Sequence, residues 1–278
     1  MKLTFFRRRG LGLTSVREIS NFMKNEANYV RNDQTGPGVL DDTNILVRWG
    51  CTSTSGLKKG TLTLNNSDAI HTVGNKLEFR RKLQEHKLCP FTFFDVKDAV
   101  YPCIVRPSTH AQGKNLYVCN DIAELNAAIA KCGQWYGAEI INKSAEFRVF
   151  VGSGRAVWVA NKIPANPTDI AWNVAQGGRF ENVRFGDWNL NVVRVAIEGF
   201  KLSGLDFGGV DVIVDQEGNA TIVEINSAPS QTSPYRQQCC AKFFDYIVEN
   251  GNATIELQET KGGWRKFIHP GVSSEAIK

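Results

Sequence analysis

The sequence predicts an α+β protein with an α/β unit at its N-terminus. Three observations predict it. The first seventy residues alternate strand-like and helix-like patterns around glycine-punctuated loops. From Glu146 onward, short runs rich in Val and Ile dominate. The last of these, Gly208-Gly209-Val210-Asp211-Val212-Ile213-Val214 and Ala220-Thr221-Ile222-Val223-Glu224-Ile225-Asn226, flank a polar turn holding Gly218 and Asn219, the pattern of a β-hairpin.

Taken in order, residues 3–6 form a short apolar strand, and residues 7–13 a basic loop containing Gly10 and Gly12. Thr14-Ser15-Val16-Arg17-Glu18 reads as a capped helix start, continued by Ile19, Phe22 and Met23 at helical spacing. Residues 44–49 are the next strand. The Ser/Thr/Gly loop 50–60 follows at its carboxyl end, where open α/β sheets bind ligands. Residues 76–88 read as a helix stopped by Pro90. Residues 101–107 and 116–119 are strands around the loop 108–115. Asp121 caps a helix with Leu125, Ala128 and Ile129 inward, and residues 138–142 close this part as a strand. Strands at 147–151 and 156–162, a glycine-containing loop at 173–178, a helix at 189–203, the hairpin and a helix at 243–248 follow. These divide as 1–70, 71–141, 142–250, and an extension 251–278 expected to be loosely held.

Composition bounds the function. Of 278 residues, 42% are apolar and 22% charged, enough for sizeable cores and against wholesale disorder. The net charge of +5 suits an anionic ligand but is too small to mark a nucleic-acid surface. Seven cysteines without a C-x-x-C pair give no zinc site or disulfide framework, and the odd number fits a reducing cytoplasm. No apolar run approaches a membrane span of roughly 20 residues, and the N-terminus is too poor in apolar residues for a signal peptide.

The hairpin carries the chemistry. Glu224 and Asn226 alternate onto one face. With Asp215 paired to Ala220 across a four-residue loop, Asp211 stands opposite Glu224, about 5 Å away at Cβ. Two facing carboxylates cost stability unless neutralised, and two acids with an amide offer oxygen donors to a hard cation such as Mg²⁺. A plain α+β protein whose hairpin acids face water is the bland alternative.

On Gly-Val-Asp-Val…Val-Glu-Ile-Asn, residues 70–250 resemble the ATP-grasp superfamily, and within it the carboxylate–amine ligases. The resemblance implies two α+β lobes holding ATP between them. It implies that Asp211, Glu224 and Asn226 hold Mg²⁺, with Mn²⁺ as an alternative. Arg106 would touch the α/β-phosphates. Residues 109–114, with Gly113 and Lys114, would be the flap over the phosphates. Glu139, Ile140, Ile141 and Asn142 would line the adenine, Glu146 would bind the ribose, and Lys162 would be a second phosphate lysine with a catalytic role. Arg148 shares a strand face with Glu146 and is a catalytic candidate.

Residues 173–178 resemble the Asn-x-x-x-Gly-Gly loop of the branch that adds amino acids to proteins and peptides. Two departures stand out. That branch carries an arginine two residues before the asparagine, where this chain has Ala171, and the D-alanine–D-alanine ligase branch carries one at the position of Gly209. Arg148, Arg179 or Arg236 is left to steady the intermediate. Arg7, Arg8 and Arg9 form an anion site or a solvated surface. Residues 49–55 and 227–234 are substrate loops or ordinary ones.

The implied activity is amide or peptide bond formation between a small-molecule or peptide carboxylate and an amine, through an acyl phosphate. The alternatives are a kinase on the same grasp and a nucleotide-binding module without turnover. A homodimer is the family's frequent state, and no membrane or nucleic-acid partner is expected.

Overall fold

The computed structural model describes residues 1–10, 12–34, 38–53, 57–108, 115–166, 168–172, 174–251 and 266–272. Three sheets organise them. The first is parallel, in the order β2-β1-β3-β4, from β1 (Leu3–Arg7), β2 (Ala27–Arg31), β3 (Ile45–Trp49) and β4 (Leu62–Leu64). Every residue of β1 and β3 is buried, as central parallel strands require. Edge strands β2 and β4 escaped the sequence reading because one is half exposed and the other three residues long. Helix α1 (Leu13–Phe22) returns the chain after β1.

Helices α2 (Ser67–Gly74) and α3 (Lys76–Glu85) come next, capped by Asn66 and Asn75. The sequence groups α3 with the small unit that follows it. In the structure its Phe79 and Leu83 enter the core around Val192, Val210 and Ile222, so α3 rests on the large lobe. The small antiparallel sheet has the order β5-β8-β6-β7, from β5 (Thr92–Phe93), β6 (Cys103–Pro107), β7 (Tyr117–Cys119) and β8 (Trp135–Glu139). Helix α4 (Ile122–Cys132) covers it, with Asp121 Oδ1 accepting from the amides of Ala123 and Glu124.

The large antiparallel sheet runs β11-β10-β9-β12-β13, from β9 (Lys143–Gly152), β10 (Arg155–Ile163), β11 (Arg179–Asn182), β12 (Phe207–Asp215) and β13 (Ala220–Asn226). One face packs on α5 (Leu190–Ser203) through Val149, Val210, Val212 and Ile222. The opposite face has two halves. At one end Phe150, Trp158 and Phe207 meet Phe243 and Phe244 of α6 (Pro234–Asn250), and the same core includes Phe5 and Trp49 of the first sheet. At the other end Glu146, Arg148 and Asp211 stand on that face and build the site.

Helix α6 starts nine residues earlier than the sequence reading places it. Polar Arg236 and Gln237 are among its buried positions, which disguises the apolar stripe. Within the extension, residues 266–272 are docked rather than loose. The His269 amide donates to Ala156 O at 2.9 Å, and its ring lies edge-on to Phe243 and Tyr246. No helix among the described residues is long and apolar enough to cross a membrane.

Candidate active site

Asp211 and Glu224 are paired across the hairpin, but not by the simple ladder the sequence suggests. Val214, not Asp215, pairs with Ala220, and the register continues through Val212 opposite Ile222. Val223 is then an extra residue, a β-bulge, and beyond it Asp211 pairs with Glu224 and Gly209 with Asn226. The bulge reverses the parity of β13: Ile222 and Ile225 both face the core, while Val223 and Glu224 face a cleft with Asp211 and Ile213. The hairpin turn is tied by Asp215, whose Oδ1 accepts from the amides of Glu217 and Asn219.

Asp211 is 4% exposed and fully engaged. Arg148 Nε and Nη2 donate to its two oxygens at 2.6 and 2.8 Å, and Lys162 Nζ donates to Oδ2 at 2.8 Å. Lys162, opposite Phe180 on the β10–β11 ladder, also donates to Glu146, which takes Lys143 on its other oxygen at 2.8 Å. Burial acts to raise the Asp211 pKa, but Arg148 and Lys162 outweigh it and hold the carboxyl well below the usual carboxylate range. Burial acts to lower the Lys162 pKa, and Asp211 with Glu146 overcomes it, so the ammonium stays charged. For Lys143 burial prevails and its pKa is lowered.

Glu224 is neutralised from outside the sheet. Lys76, the first residue of α3, donates to its Oε1 at 2.7 Å and to Ile225 O at 3.4 Å. Arg80, one turn on, donates to Val223 O and leaves Nη1 without a partner. Arg106, on β6, is buried with Nε unpartnered, and burial lowers its pKa. Cations therefore outnumber carboxylates around the site, which suits a polyphosphate.

The cleft between the small and large lobes measures about 550 Å³. Arg106, Glu139, Ile140, Ile141, Asn142, Glu146, Lys162, Asp211 and Glu224 all line it. Residues 140–142 lie between β8 and β9, and among the described residues they make no backbone hydrogen bonds outside the ladders. Their amides and carbonyls are thus available to a flat heterocycle. Glu139 is committed elsewhere: its carboxylate accepts from the Phe91 amide at 2.6 Å and its own amide donates to Phe91 O. Arg148 reaches the site through Asp211. Asn226 is half-buried and sits one same-face position beyond Glu224, but does not line the cleft. Gly113, Lys114 and the rest of the expected flap, and Asn173 of the expected loop, lie outside the described residues.

The donor set fits a hard divalent ion: two carboxylates in register and an amide beyond them, all oxygen. Among the described residues no group of three or more His, Cys, Asp or Glu could hold a metal.

Of the arginines left to steady an intermediate, Arg148 is locked on Asp211 and Arg179 is exposed against Glu181. Arg236 is different. It is 3% exposed, its Nε and Nη1 have no partners, and its Nη2 donates to Thr232 Oγ1 at 3.2 Å. Its guanidinium lies 5.2 Å from the Phe180 ring centroid, and that of Arg148 lies 4.9 Å from the same ring. Burial and the nearby Arg148 both lower its pKa. A Cβ at Gly209 would meet Pro229 Cβ at 2.9 Å, so a long side chain there has no room.

Sequence reasoning missed Lys76 and Arg80. Their only signal was an i, i+4 pair of cations at the start of a helix, a pattern that usually marks a solvated face.

Comparison with known proteins adds to this geometry. A family model described as the RimK-like ATP-grasp domain matches residues 90–240. A probable α-L-glutamate ligase of Aeromonas salmonicida (strain A449) is 25% identical over 186 residues, 61% of each chain. A probable α-L-glutamate ligase 2 of Hahella chejuensis (strain KCTC 2396) is 29% identical over 158 residues, 54% of this chain and 50% of the relative. The chain thus spans between half and two thirds of the length of these relatives. Among solved structures, the ATP-grasp ligase PsnB with its minimal precursor, Mg and ADP superimposes with a TM-score of 0.65 at 13% identity, covering 90% of this chain and 97% of the other. D-alanine–D-alanine ligase from Bacillus anthracis gives 0.63 at 15% identity, covering 90% and 96%. These likenesses show the fold.

Proposed function

This chain belongs to the RimK-like ATP-grasp family, and from that premise we propose that it is an ATP-dependent ligase joining a carboxylate to an amine. The observation that carries the reading is the single cleft in which Asp211, Glu224, Lys162 and Arg106 face the open backbone of residues 140–142. The cleft provides an adenine edge at one end and a charge-rich pocket at the other.

In this reading the adenine rests against residues 140–142 and Glu146 takes the ribose hydroxyls. Arg106 and Lys162 hold phosphate oxygens. Lys76 leaves Glu224 when nucleotide arrives and joins them. Asp211, Glu224 and Asn226 would hold Mg²⁺, which when bound draws charge off the β- and γ-phosphates. Lys162 and Arg148 keep Asp211 ionised at every working pH, as an oxygen donor to a cation must be.

A substrate carboxylate oxygen attacks the γ-phosphorus, the bond to the ADP oxygen breaks, and an acyl phosphate forms. The amine nitrogen then attacks the acyl carbon. Phosphate leaves, carrying the amine's proton into solution. Arg236 supplies fixed positive charge to the oxyanion that develops at that carbon. No protein nucleophile is needed. The relatives' names make glutamate the first amine to try, and peptides or small molecules the carboxylates. The seven unbridged thiols suit a reducing cytoplasm.

The test is ADP release by the purified chain with Mg-ATP and paired carboxylate and amine substrates. Release that requires both substrates, with amide product, supports the reading. Absence of Mg-ATP binding by calorimetry sinks it.

A further inference from the structure

We propose that Phe180 is a positioning residue: its ring, with the Trp158 indole, holds the Arg236 guanidinium in place without cancelling its charge. The proposal rests on the ligase reading for the oxyanion that this charge serves, but not for the contact itself.

Phe180 lies on β11, the edge strand of the large sheet. Arg179, Glu181 and Asn182 of that strand are exposed, and of the four only Phe180 is half-buried. It stands directly opposite Lys162 on the ladder with β10. Three cations gather around its ring. The guanidinium of Arg148 lies 4.9 Å from the centroid, that of Arg236 5.2 Å, and Lys162 Nζ 5.9 Å. Each is inside the range of about 6 Å over which a ring attracts a cation. Like charges this close repel one another, so each needs compensation.

The compensation differs among the three. Arg148 and Lys162 share Asp211, and Lys162 also donates to Glu146. Carboxylates thus cancel much of their charge. Arg236 has no ion pair among the described residues; its Nη2 donates to Thr232 Oγ1, and its Nε and Nη1 have no partners. What it has instead is two aromatic rings, Phe180 and Trp158, the latter with its centroid 5.5 Å away. Trp158 is itself fixed, stacked on Phe150 with its indole N–H donating to Cys240 Sγ at 3.4 Å.

An acid in this place would hold the guanidinium more firmly and would neutralise it towards any ligand. A ring quadrupole stabilises a cation and adds no net charge. The field of Arg236 therefore stays available to an anion, and its free N–H groups stay available as donors. Packing alone does not call for a phenyl ring at 180. At a half-buried edge position a leucine would fill comparable space, but it has no π face.

Phe180→Leu, Phe180→Tyr and a chain carrying trifluorophenylalanine at position 180 separate ring charge from ring shape. Fluorine draws electron density off the ring face and leaves the outline nearly unchanged. With kcat for amide formation as the readout, Phe180→Tyr is expected to stay within about twofold of the parent, and the leucine and fluorinated chains to lose about tenfold. The Kd for Mg-ATP should stay within about twofold in all three, because Arg148 and Lys162 keep their carboxylates. In an Arg236→Met background, leucine or the fluorinated ring should cost nothing further in kcat. Full activity of the fluorinated chain, an equal loss in the Arg236→Met background, or a loss carried by Mg-ATP affinity instead of kcat overturns the proposal. Thermal melts of the same chains read the contact without turnover: fluorination should lower the melting temperature more in the parent than in Arg236→Met, and an equal shift in both overturns the contact. A parent that makes no amide loses the ligase reading, and the melts then decide the contact alone.

Discussion

Asp211 faces Glu224 because Val223 is an extra residue in β13. The two acids differ sharply in their surroundings, and so will their variants. Asp211 is buried under Arg148 and Lys162, and Asp211→Asn leaves two buried cations short of a counterion. Losing one partner of a buried pair costs about 3–5 kcal/mol, so this variant should melt markedly lower as well as losing turnover. Glu224 has 27% of its side chain exposed, with Lys76 as its partner. Glu224→Gln should therefore keep its melting temperature within a few degrees while ADP release falls by about 10²-fold or more. Thermal melts read beside ADP release check this; a Glu224→Gln enzyme with full activity removes Glu224 from the site.

Arg236 makes the opposite trade. A buried guanidinium without a carboxylate costs stability, offset only in part by its stacking on Trp158 and Phe180. Arg236→Met keeps the apolar contact and removes the charge. It should be as stable as the parent or more so, yet lose about 10²-fold in kcat with little change in the Kd for Mg-ATP. Adding Gly209→Arg to it should not restore activity, because Pro229 already fills the space a Cβ would need. Recovery in that double variant would show that the charge belongs on β12.

The pairing of Asp211 with Glu224 was legible in the sequence, although through the wrong register. The expected loop was one residue too short, and the bulge at Val223 makes up the difference. A bulge has no composition signal here, since Val223 looks like any strand residue. Arg106, Lys162 and residues 140–142 were expected on the family pattern alone and Glu146 on that pattern together with strand alternation, and all of them line one cleft. Lys76 was not, because its partner lies 148 residues away and only tertiary packing of α3 brings them together. The early turns of α6 were hidden for a related reason: Arg236 and Gln237 are buried, and periodicity arguments treat such residues as solvent-facing.

Lys76 can be tested by removing its charge. Its pair with Glu224 is partly exposed, with 15% and 27% of the two side chains open, so Lys76→Met should change stability by no more than about 1 kcal/mol. If the lysine turns to the phosphates when nucleotide binds, the Kd for Mg-ATP should rise by about tenfold, one charge-assisted contact's worth. Calorimetry on the folded variant measures both the affinity and the number of sites. An unchanged Kd would leave Lys76 as a partner of Glu224 and nothing more.

His269 makes the docked segment 266–272 sensitive to acid. The ring is fully buried; its Nδ1 accepts from the Gly271 amide at 3.1 Å, and its Nε2 has no partner. Burial, with Arg155 adding repulsion, pushes its pKa down to about 3. The unfolded or undocked ring titrates near its ordinary value of about 6.5. Above that value the imidazole is neutral in both states and the full stability is present. As pH falls below it, only the undocked form takes up the proton, and stability declines until the docked form titrates too. At about 1.36 kcal/mol per unit, roughly 2 kcal/mol is lost by pH 5. His269→Asn keeps an acceptor for Gly271 but cannot titrate. It should start less stable at pH 7, having lost the ring contacts with Phe243 and Tyr246, and then show a flatter decline between pH 6.5 and pH 5. Melting curves of both proteins across that range decide the point: parallel declines would assign the acid sensitivity to other groups.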